Sequence, residues 1–161
     1  MSIIIGIDPG SYVTGYGIIK SEKNTLKHIK SGSIFLKKHD FKKRLKIIYI
    51  CIKNIINKFK PKYFVIEQIF FSKNPSSVLK LGQASCAATL AAINLDILIF
   101  EYASKKIKKI LVGDGKAKKL QVKNKVCSIL NLSKSIGIDT SDALAVAITH
   151  HYLINNKDKI F

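Results

Sequence analysis

The order of strand and helix patterns along the chain is the feature that most limits its fold. A run of β-branched residues predicts a strand at residues 3–8, and two further strands are predicted at 15–20 and 28–35. Apolar residues then recur every three or four positions over residues 41–59, the pattern of an amphipathic helix, and Pro61 ends it. The first part of the chain therefore predicts an antiparallel meander followed by a helix.

Strand and helix patterns alternate in the rest of the chain. Two more strands are predicted, at residues 63–70 and 97–102, and a polar loop at 72–77. Helices are predicted from that loop to about 94, and at 104–112, 117–130 and 139–155. Because such an order packs as one layered unit, we expect an α/β fold: a mixed five-stranded sheet with helices on both faces, in a single domain spanning residues 1–161.

The charge balance indicates a polyanionic partner. The 161 residues include 28 Lys and Arg against 10 Asp and Glu, a formal charge of +18, which favours nucleic acid. An AT-biased genome would also enrich Lys, Ile and Asn codons, so charge alone leaves both explanations open. The scarcity of acids is more informative, because each carboxylate inside an apolar segment then needs a reason.

The sequence also bears on the compartment. No apolar run reaches the roughly 18 residues that a membrane-spanning helix needs. The apolar start of the chain has no basic segment before it and predicts a first strand rather than a secretion signal. We therefore expect a cytoplasmic protein without membrane attachment.

Four carboxylates lie in or beside apolar segments: Asp8, Glu67, Asp139 and Asp142. Asp8 ends the first strand, at the sheet edge where such folds usually bind ligands. Glu67 lies within an apolar strand, where an unpaired charge is costly and a cationic partner is expected. Asp139 and Asp142 are three residues apart on one face of the last helix. All four can converge if that helix crosses the sheet near the first and fourth strands.

Each acid also has a purely structural explanation. Asp139 can serve as an N-terminal helix acid, Asp8 as a turn residue before Pro9, and Glu67 as the partner of a lysine. Asp142 is harder to explain in this way, because it lies deeper in the helix and an apolar run follows it. One shared cause accounts for all four more simply than four coincidences.

That shared cause would be a hard divalent cation. Oxygen ligands without nearby His or Cys suit Mg²⁺, with Mn²⁺ as a possible substitute, rather than zinc. A pair of dications relieves the repulsion between clustered carboxylates. Two such ions can activate a water and stabilise the leaving oxygen in an in-line attack on a phosphodiester. The four acids therefore predict a two-metal nuclease site.

At these residues the chain resembles the RuvC family of Holliday-junction resolvases, within the ribonuclease-H-like superfamily. The matching segments occur in family order and span most of the chain. They are Gly6-Ile7-Asp8-Pro9-Gly10-Ser11 with Thr14-Gly15-Tyr16-Gly17, Ile66-Glu67-Gln68-Ile69-Phe70, Lys80-Leu81-Gly82-Gln83-Ala84, and Asp139-Thr140-Ser141-Asp142-Ala143-Leu144-Ala145. The first segment alone is shared with actin-like kinases, whereas the combination is specific.

The resemblance implies a crossover junction endodeoxyribonuclease: a homodimer that nicks a four-way DNA junction in symmetric pairs during recombination and repair, with RuvA and RuvB as partners. It also implies that the four acids are the catalytic, metal-binding residues. Phe70 matches an aromatic used at the junction, and Lys108 and Lys119 match basic positions for DNA contact and catalysis. A core-packing role for Phe70 or its neighbour Phe71 is an alternative.

Three departures from the family pattern bear on DNA binding rather than on the acids. Ser85-Cys86 replaces an Arg-Gly pair, Asp114 adds an acid to a basic loop, and the tail after Asn155 is short. They leave open a junction-binding module that has lost catalysis, although all four acids are retained. An actin-like ATPase would need a second lobe, and a small RNA-processing nuclease should lack the segments near Phe70 and Gly82.

Overall fold

The computed structural model describes residues 1–23, 25–70, 74–133 and 135–155. A five-stranded sheet has the order β3-β2-β1-β4-β5. Its strands are β1 (Ser2–Asp8), β2 (Val13–Ser21), β3 (Leu26–Phe35), β4 (Tyr63–Glu67) and β5 (Leu98–Tyr102). β1 pairs antiparallel with β2 and parallel with β4, and β4 pairs parallel with β5. The predicted mixed five-stranded sheet is confirmed.

Helices cover both faces of this sheet, as predicted. They are α1 (Phe41–Phe59), α2 (Pro75–Ile93), α3 (Ser104–Val112), α4 (Lys119–Leu130) and α5 (Ile138–Asn155). α1 and α2 pack on the face that carries Ile5, Ile7 and Phe64, whereas α3, α4 and α5 pack on the opposite face. Alternation along each strand thus supplies one core to each helical layer.

Helix ends follow local chemistry that the sequence contains. Asp40 caps α1 by accepting a hydrogen bond from the backbone N–H of Lys43. The Asn74 side chain caps α2 by accepting a hydrogen bond from the backbone N–H of Ser77. Lys60 adopts a left-handed conformation at the end of α1, directly before Pro61. α1 has the predicted bounds for this reason.

Several predicted bounds were wrong by two or three residues. β4 ends at Glu67 rather than at residue 70, because its partner β5 ends at Tyr102, opposite Glu67. The N–H of Gln68 still donates to the Tyr102 carbonyl at 2.9 Å, and the chain then leaves the sheet. α2 begins at Pro75, inside the predicted loop, and α4 begins at Lys119 rather than at 117. Phe71, residues 72–73 of that loop and the tail 156–161 lie outside the described residues.

α5 lies against the centre of the sheet at unusually close range. Of the ten α5 residues from Ala143 to Tyr152, all except Tyr152 are buried. A Cβ at Gly6 of β1 would overlap the Ala143 carbonyl oxygen and come within 2.8 Å of the Ala147 nitrogen. Glycine at position 6 therefore sets the distance at which α5 crosses β1. Within the part of the chain that the structure describes, no helix is long and apolar enough to cross a membrane.

Gly6→Ala is expected to destabilise the protein by about 1–3 kcal/mol, because the added methyl group must push the α5 backbone away from the sheet. Urea or thermal unfolding measures the loss. Gly82→Ala in α2 is the matched control, because a Cβ at Gly82 meets no atom within 4 Å. That control should be neutral or stabilising by about 0.5–1 kcal/mol, since alanine is the better helix former. Equal stability of the two variants would contradict the close packing.

Candidate active site

Two of the predicted acids meet at one edge of the sheet. β1 and β4 run parallel and pair Ile7 with Ile66, so Asp8 and Glu67 end neighbouring strands at the same level. Gly6, two residues before Asp8, contacts α5, and Val65, two residues before Glu67, packs in the core beneath α5. Because side chains alternate along a strand, both carboxylates face the N-terminal end of α5.

The first turns of α5 supply the other two acids. Asp142 joins Asp8 and Glu67 in lining a cleft of about 90 Å³, together with Ser104, Lys108 and Lys119. Asp139 lies one turn earlier, at the rim and outside the lining of that cleft. Its charge still acts on the site, because it contributes to raising the pKa of Asp8. The structure therefore brings three of the acids into one cleft and places the fourth beside it.

Asp8 carries the largest electrostatic cost in the cleft. Burial, and then the neighbouring charges of Asp142 and Glu67, raise its pKa from 3.8 to about 8, against the opposing effect of Lys119. Burial also raises the pKa of Glu67, although a hydrogen bond from Ser104 lowers it in part. In the protein alone, Asp8 therefore lacks enough neighbouring positive charge to remain ionised at neutral pH.

Lys119 supplies part of the missing charge. Its Nζ donates to Oδ2 of Asp142 at 2.8 Å, and this hydrogen bond raises the pKa of Lys119. The Asp142 side chain is only 13% exposed, whereas Lys119 is 66% exposed and reaches in from the start of α4. Lys108 on α3 lines the same cleft. Both lysines singled out by resemblance thus lie beside the acids.

Phe70 lies near the acids rather than in a core. It is 56% exposed and lines a groove that also contains Asp8, Pro9 and Glu67. Its ring is therefore free to contact a ligand that enters the cleft. The core-packing alternative for Phe70 is not supported by this exposure.

Ser104 is a cleft residue that the sequence did not indicate. It is the first residue of α3, directly after the β5 strand and Ala103, and its side chain hydrogen-bonds Glu67. A serine at the start of a helix is ordinarily explained as local capping, so no sequence signal set it apart. Its contact favours the ionised form of Glu67, because it lowers the pKa of that carboxyl.

The donor chemistry of the cleft fits a hard divalent cation. All candidate ligands are carboxylate oxygens, which Mg²⁺ and Mn²⁺ prefer, and the raised pKa values of Asp8 and Glu67 mark negative charge that a cation would stabilise. Among the described ranges, no three Asp, Glu, His or Cys side chains are close enough to form a ready-made metal site.

Comparison with known proteins gives consistent matches. The family model described as "Crossover junction endodeoxyribonuclease RuvC" matches residues 4–150. A relative of that name from Baumannia cicadellinicola subsp. Homalodisca coagulata is 50% identical over 160 residues, which are 99% of this chain and 92% of the relative. The match includes all four acids within its span.

Solved structures agree with the fold. Thermus thermophilus RuvC superposes with a TM-score of 0.87 at 26% identity and covers 96% of both chains. The structure titled "T. thermophilus RuvC in complex with Holliday junction substrate" superposes with a TM-score of 0.86 at 24% identity, again over 96% of both chains. These likenesses confirm the ribonuclease-H-like fold class.

Proposed function

Since the chain belongs to the RuvC family of crossover junction endodeoxyribonucleases, we propose that it resolves four-way DNA junctions by paired symmetric nicks during recombination and repair. The observation that carries this proposal is the cleft in which Asp8, Glu67 and Asp142 meet two lysines at the carboxyl edge of the sheet. Acids to hold metal and cations to hold phosphate are the two requirements of phosphodiester hydrolysis.

Asp8, Glu67, Asp139 and Asp142 would hold Mg²⁺, two ions per active site, with Mn²⁺ as a substitute. When bound, the ions supply the positive charge that activates water and stabilises the leaving oxygen. Ser104 favours the ionised form of Glu67, while Lys119 balances the charge of Asp142 and lies where it can contact a phosphate together with Lys108. The overall charge of +18 favours approach of DNA to this cleft.

A junction-cleavage assay tests the proposal. A synthetic four-way junction and a linear duplex of matched sequence are incubated with the protein in Mg²⁺ or in chelator. We expect paired nicks in the junction only when metal is present, with little cutting of the duplex. Equal cutting of both substrates, or cutting in chelator, would refute a junction-selective metal nuclease.

Phe70 is expected to support cleavage by stacking on a base exposed at the junction. Phe70→Ala should lower the cleavage rate by about 10-fold, since one base–aromatic stack contributes about 1–3 kcal/mol. Metal affinity, followed by Mg²⁺-dependent stabilisation, should not change, because Phe70 supplies no metal ligand. Phe70→Trp is the control that retains a ring. Unchanged junction cleavage by Phe70→Ala would remove the stacking role.

We further propose that two copies act as a homodimer, because paired nicks need two active sites. The supporting observation is an exposed stripe on α2 at alternating spacings of four and three residues, the spacing of a helix-pairing seam. The stripe comprises Leu79, Gln83, Cys86, Leu90 and Ile93. Leu79, Leu90 and Ile93 are 69%, 44% and 52% exposed. A row of such large apolar side chains is unusual on a surface that faces only solvent.

Leu90→Lys combined with Ile93→Lys is expected to separate the dimer, because each added charge would have to be buried at the seam. Light scattering coupled to gel filtration should show a change from two copies to one. Single nicks should then replace paired nicks. Ile50→Lys, on the exposed side of α1, is the matched control and should leave the dimer intact. A wild-type protein that is already monomeric at assay concentration would refute this interface.

This proposal also includes a partnership with the RuvA and RuvB branch-migration proteins, where these occur in the same cell. It further includes action in the cytoplasm. They are supported by family membership. Co-purification of the chain with RuvA and RuvB on a four-way junction tests the partnership directly.

A further inference from the structure

One row of residues crosses the sheet at the level of the acids. The strand register pairs Asp8 with Gly15 of β2, and Gly15 with Ser33 of β3. Residues directly opposite each other on neighbouring strands share one face of the sheet, so Gly15 and Ser33 continue the face from which Asp8 enters the cleft. Neighbouring strands lie about 4.8 Å apart, which places the backbone of Ser33 roughly 10 Å from that of Asp8.

The first turn of α5 lies across this row. A Cβ at Gly15 would overlap the carbonyl oxygen of Asp139, so the backbone of the turn rests directly on β2. The next residue, Thr140, is 7% exposed, and its hydroxyl forms a hydrogen bond with the Ser33 hydroxyl at 3.0 Å. The turn that carries Asp139 is therefore attached to the sheet beside the strand that carries Asp8.

This attachment differs from the other contacts of the turn. Ile138, the first residue of α5, is 37% exposed, so apolar packing does little to hold the start of the helix. The buried Ser141 hydroxyl donates to the Ile138 carbonyl at 2.8 Å, within the helix itself. Lys119 reaches Asp142 from α4, not from the sheet. Among the side-chain hydrogen bonds of the described residues, the bond between Thr140 and Ser33 is the one that joins this turn to a strand.

The turn needs such an attachment because its charges oppose its position. Asp139 and Asp142 both act on Asp8 as like charges. Where no cation is bound, that repulsion favours movement of the turn away from β1. A bond between two hydroxyl groups uses no carboxylate oxygen. It can therefore hold the turn in place and leave every oxygen of the acids available to a ligand.

We propose that Thr140 and Ser33, the hydroxyl pair, are positioning residues for the metal site: their hydrogen bond holds the first turn of α5 so that Asp139 stays within reach of an ion bound at Asp8. This inference rests on the proposed metal-dependent function. The pair touches neither the ion nor DNA and acts through Asp139. Because a ligand that is already in place loses less conformational freedom on binding, the pair should strengthen metal affinity.

Titration of the protein with Mn²⁺ in the absence of DNA, followed by the electron paramagnetic resonance signal of the free ion, tests the pair. Thr140→Val removes one hydroxyl and keeps the side-chain shape, and Ser33→Ala removes the other. Each should weaken Mn²⁺ affinity by about 3-fold to 10-fold, the range expected for the net loss of one hydrogen bond. The double variant should lose no more than either single variant, because both remove the same bond. Thr140→Ser retains the hydroxyl and should bind Mn²⁺ like wild type.

Thr149→Val is the matched control in the same helix. Thr149 is also a buried threonine of α5, but its hydroxyl donates to the Ala145 carbonyl at 2.8 Å and does not reach the sheet. Its loss should leave Mn²⁺ affinity at the wild-type value, whatever its effect on the melting temperature. An equal loss of Mn²⁺ affinity in Thr149→Val and Thr140→Val would overturn the assignment to the hydroxyl pair.

Junction cleavage supplies a second measurement. Thr140→Val should need about 3-fold to 10-fold more Mg²⁺ than wild type for half of its maximal rate, and should approach the wild-type rate at saturation, because every metal ligand is retained. Wild-type Mn²⁺ affinity in both Thr140→Val and Ser33→Ala, with junction cleavage by the wild type intact, would overturn the positioning role alone. A wild type that neither binds Mn²⁺ nor cuts a junction would instead refute the proposed function.

Discussion

Asp8→Asn is expected to abolish metal-dependent junction cleavage, with a rate loss of at least about 1000-fold. The physical reason is that Asp8 is the most central acid of the cleft, since the charges of Asp142, Glu67 and Asp139 all act on it. An asparagine keeps the shape but cannot supply the negative charge that holds a dication, and a bound metal contributes several kcal/mol to such a transition state.

Junction binding should survive this change, because the DNA contacts are proposed for other side chains, among them Lys108, Lys119 and Phe70. Cleavage and binding are therefore measured on the same preparation, with Mg²⁺ for the rate and chelator for the affinity. Asp40→Asn is a control at an acid outside the cleft. Cleavage by Asp8→Asn within 10-fold of wild type, a threshold of about 1.4 kcal/mol, would exclude Asp8 as a metal ligand.

The same substitution should stabilise the metal-free protein at alkaline pH. The pKa of Asp8 is about 8 in the folded protein against an ordinary value of 3.8, so the folded state favours its protonated form. Between these two values the unfolded chain loses a proton that the folded chain retains. Stability from this group therefore falls as the pH rises through that window, and the full cost is present above the folded pKa.

From pH 5 to pH 8 this cost grows by about 3–4 kcal/mol, since each unit of pKa difference corresponds to about 1.4 kcal/mol. In chelator at pH 8, Asp8→Asn should thus melt about 10 °C above wild type, with a smaller difference at pH 5. Mg²⁺ should raise the melting temperature of wild type more than that of the variant, because only wild type retains the full ligand set.

The comparison must use the difference between the two proteins rather than either pH profile alone. His150 is buried and its pKa is lowered to about 4, so its contribution to stability grows with rising pH below about 6.5, the opposite direction. Because His150 is present in both proteins, it cancels in the difference. A difference that does not change between pH 5 and pH 8 would contradict the electrostatic account of Asp8.

The sequence by itself determined the elements and the identity of the acids. Residues 41–59 formed the predicted helix because their apolar spacing, the Asp40 cap and Pro61 all act within a few residues. Asp8 and Glu67 stood out because an ionised carboxylate in an apolar strand needs compensation wherever that strand packs. Such signals are local, and one chain segment contains all the information they require.

Only the tertiary structure decided how the acids meet. The parallel pairing of β1 with β4 sets Asp8 beside Glu67, although 58 residues of the sequence lie between them. The end of β5 at Tyr102, not a signal within β4, stops the fourth strand at Glu67. Ser104 and Lys119 reach Glu67 and Asp142 from α3 and α4.

Those contacts depend on the distance and angle at which α5 crosses the sheet, which Gly6 permits and packing of both layers sets. No local pattern encodes that crossing, because it results from the summed burial of many side chains. The rim position of Asp139 and the cleft position of Asp142 follow from it. The sequence named the acids, and packing determined which of them share the cleft.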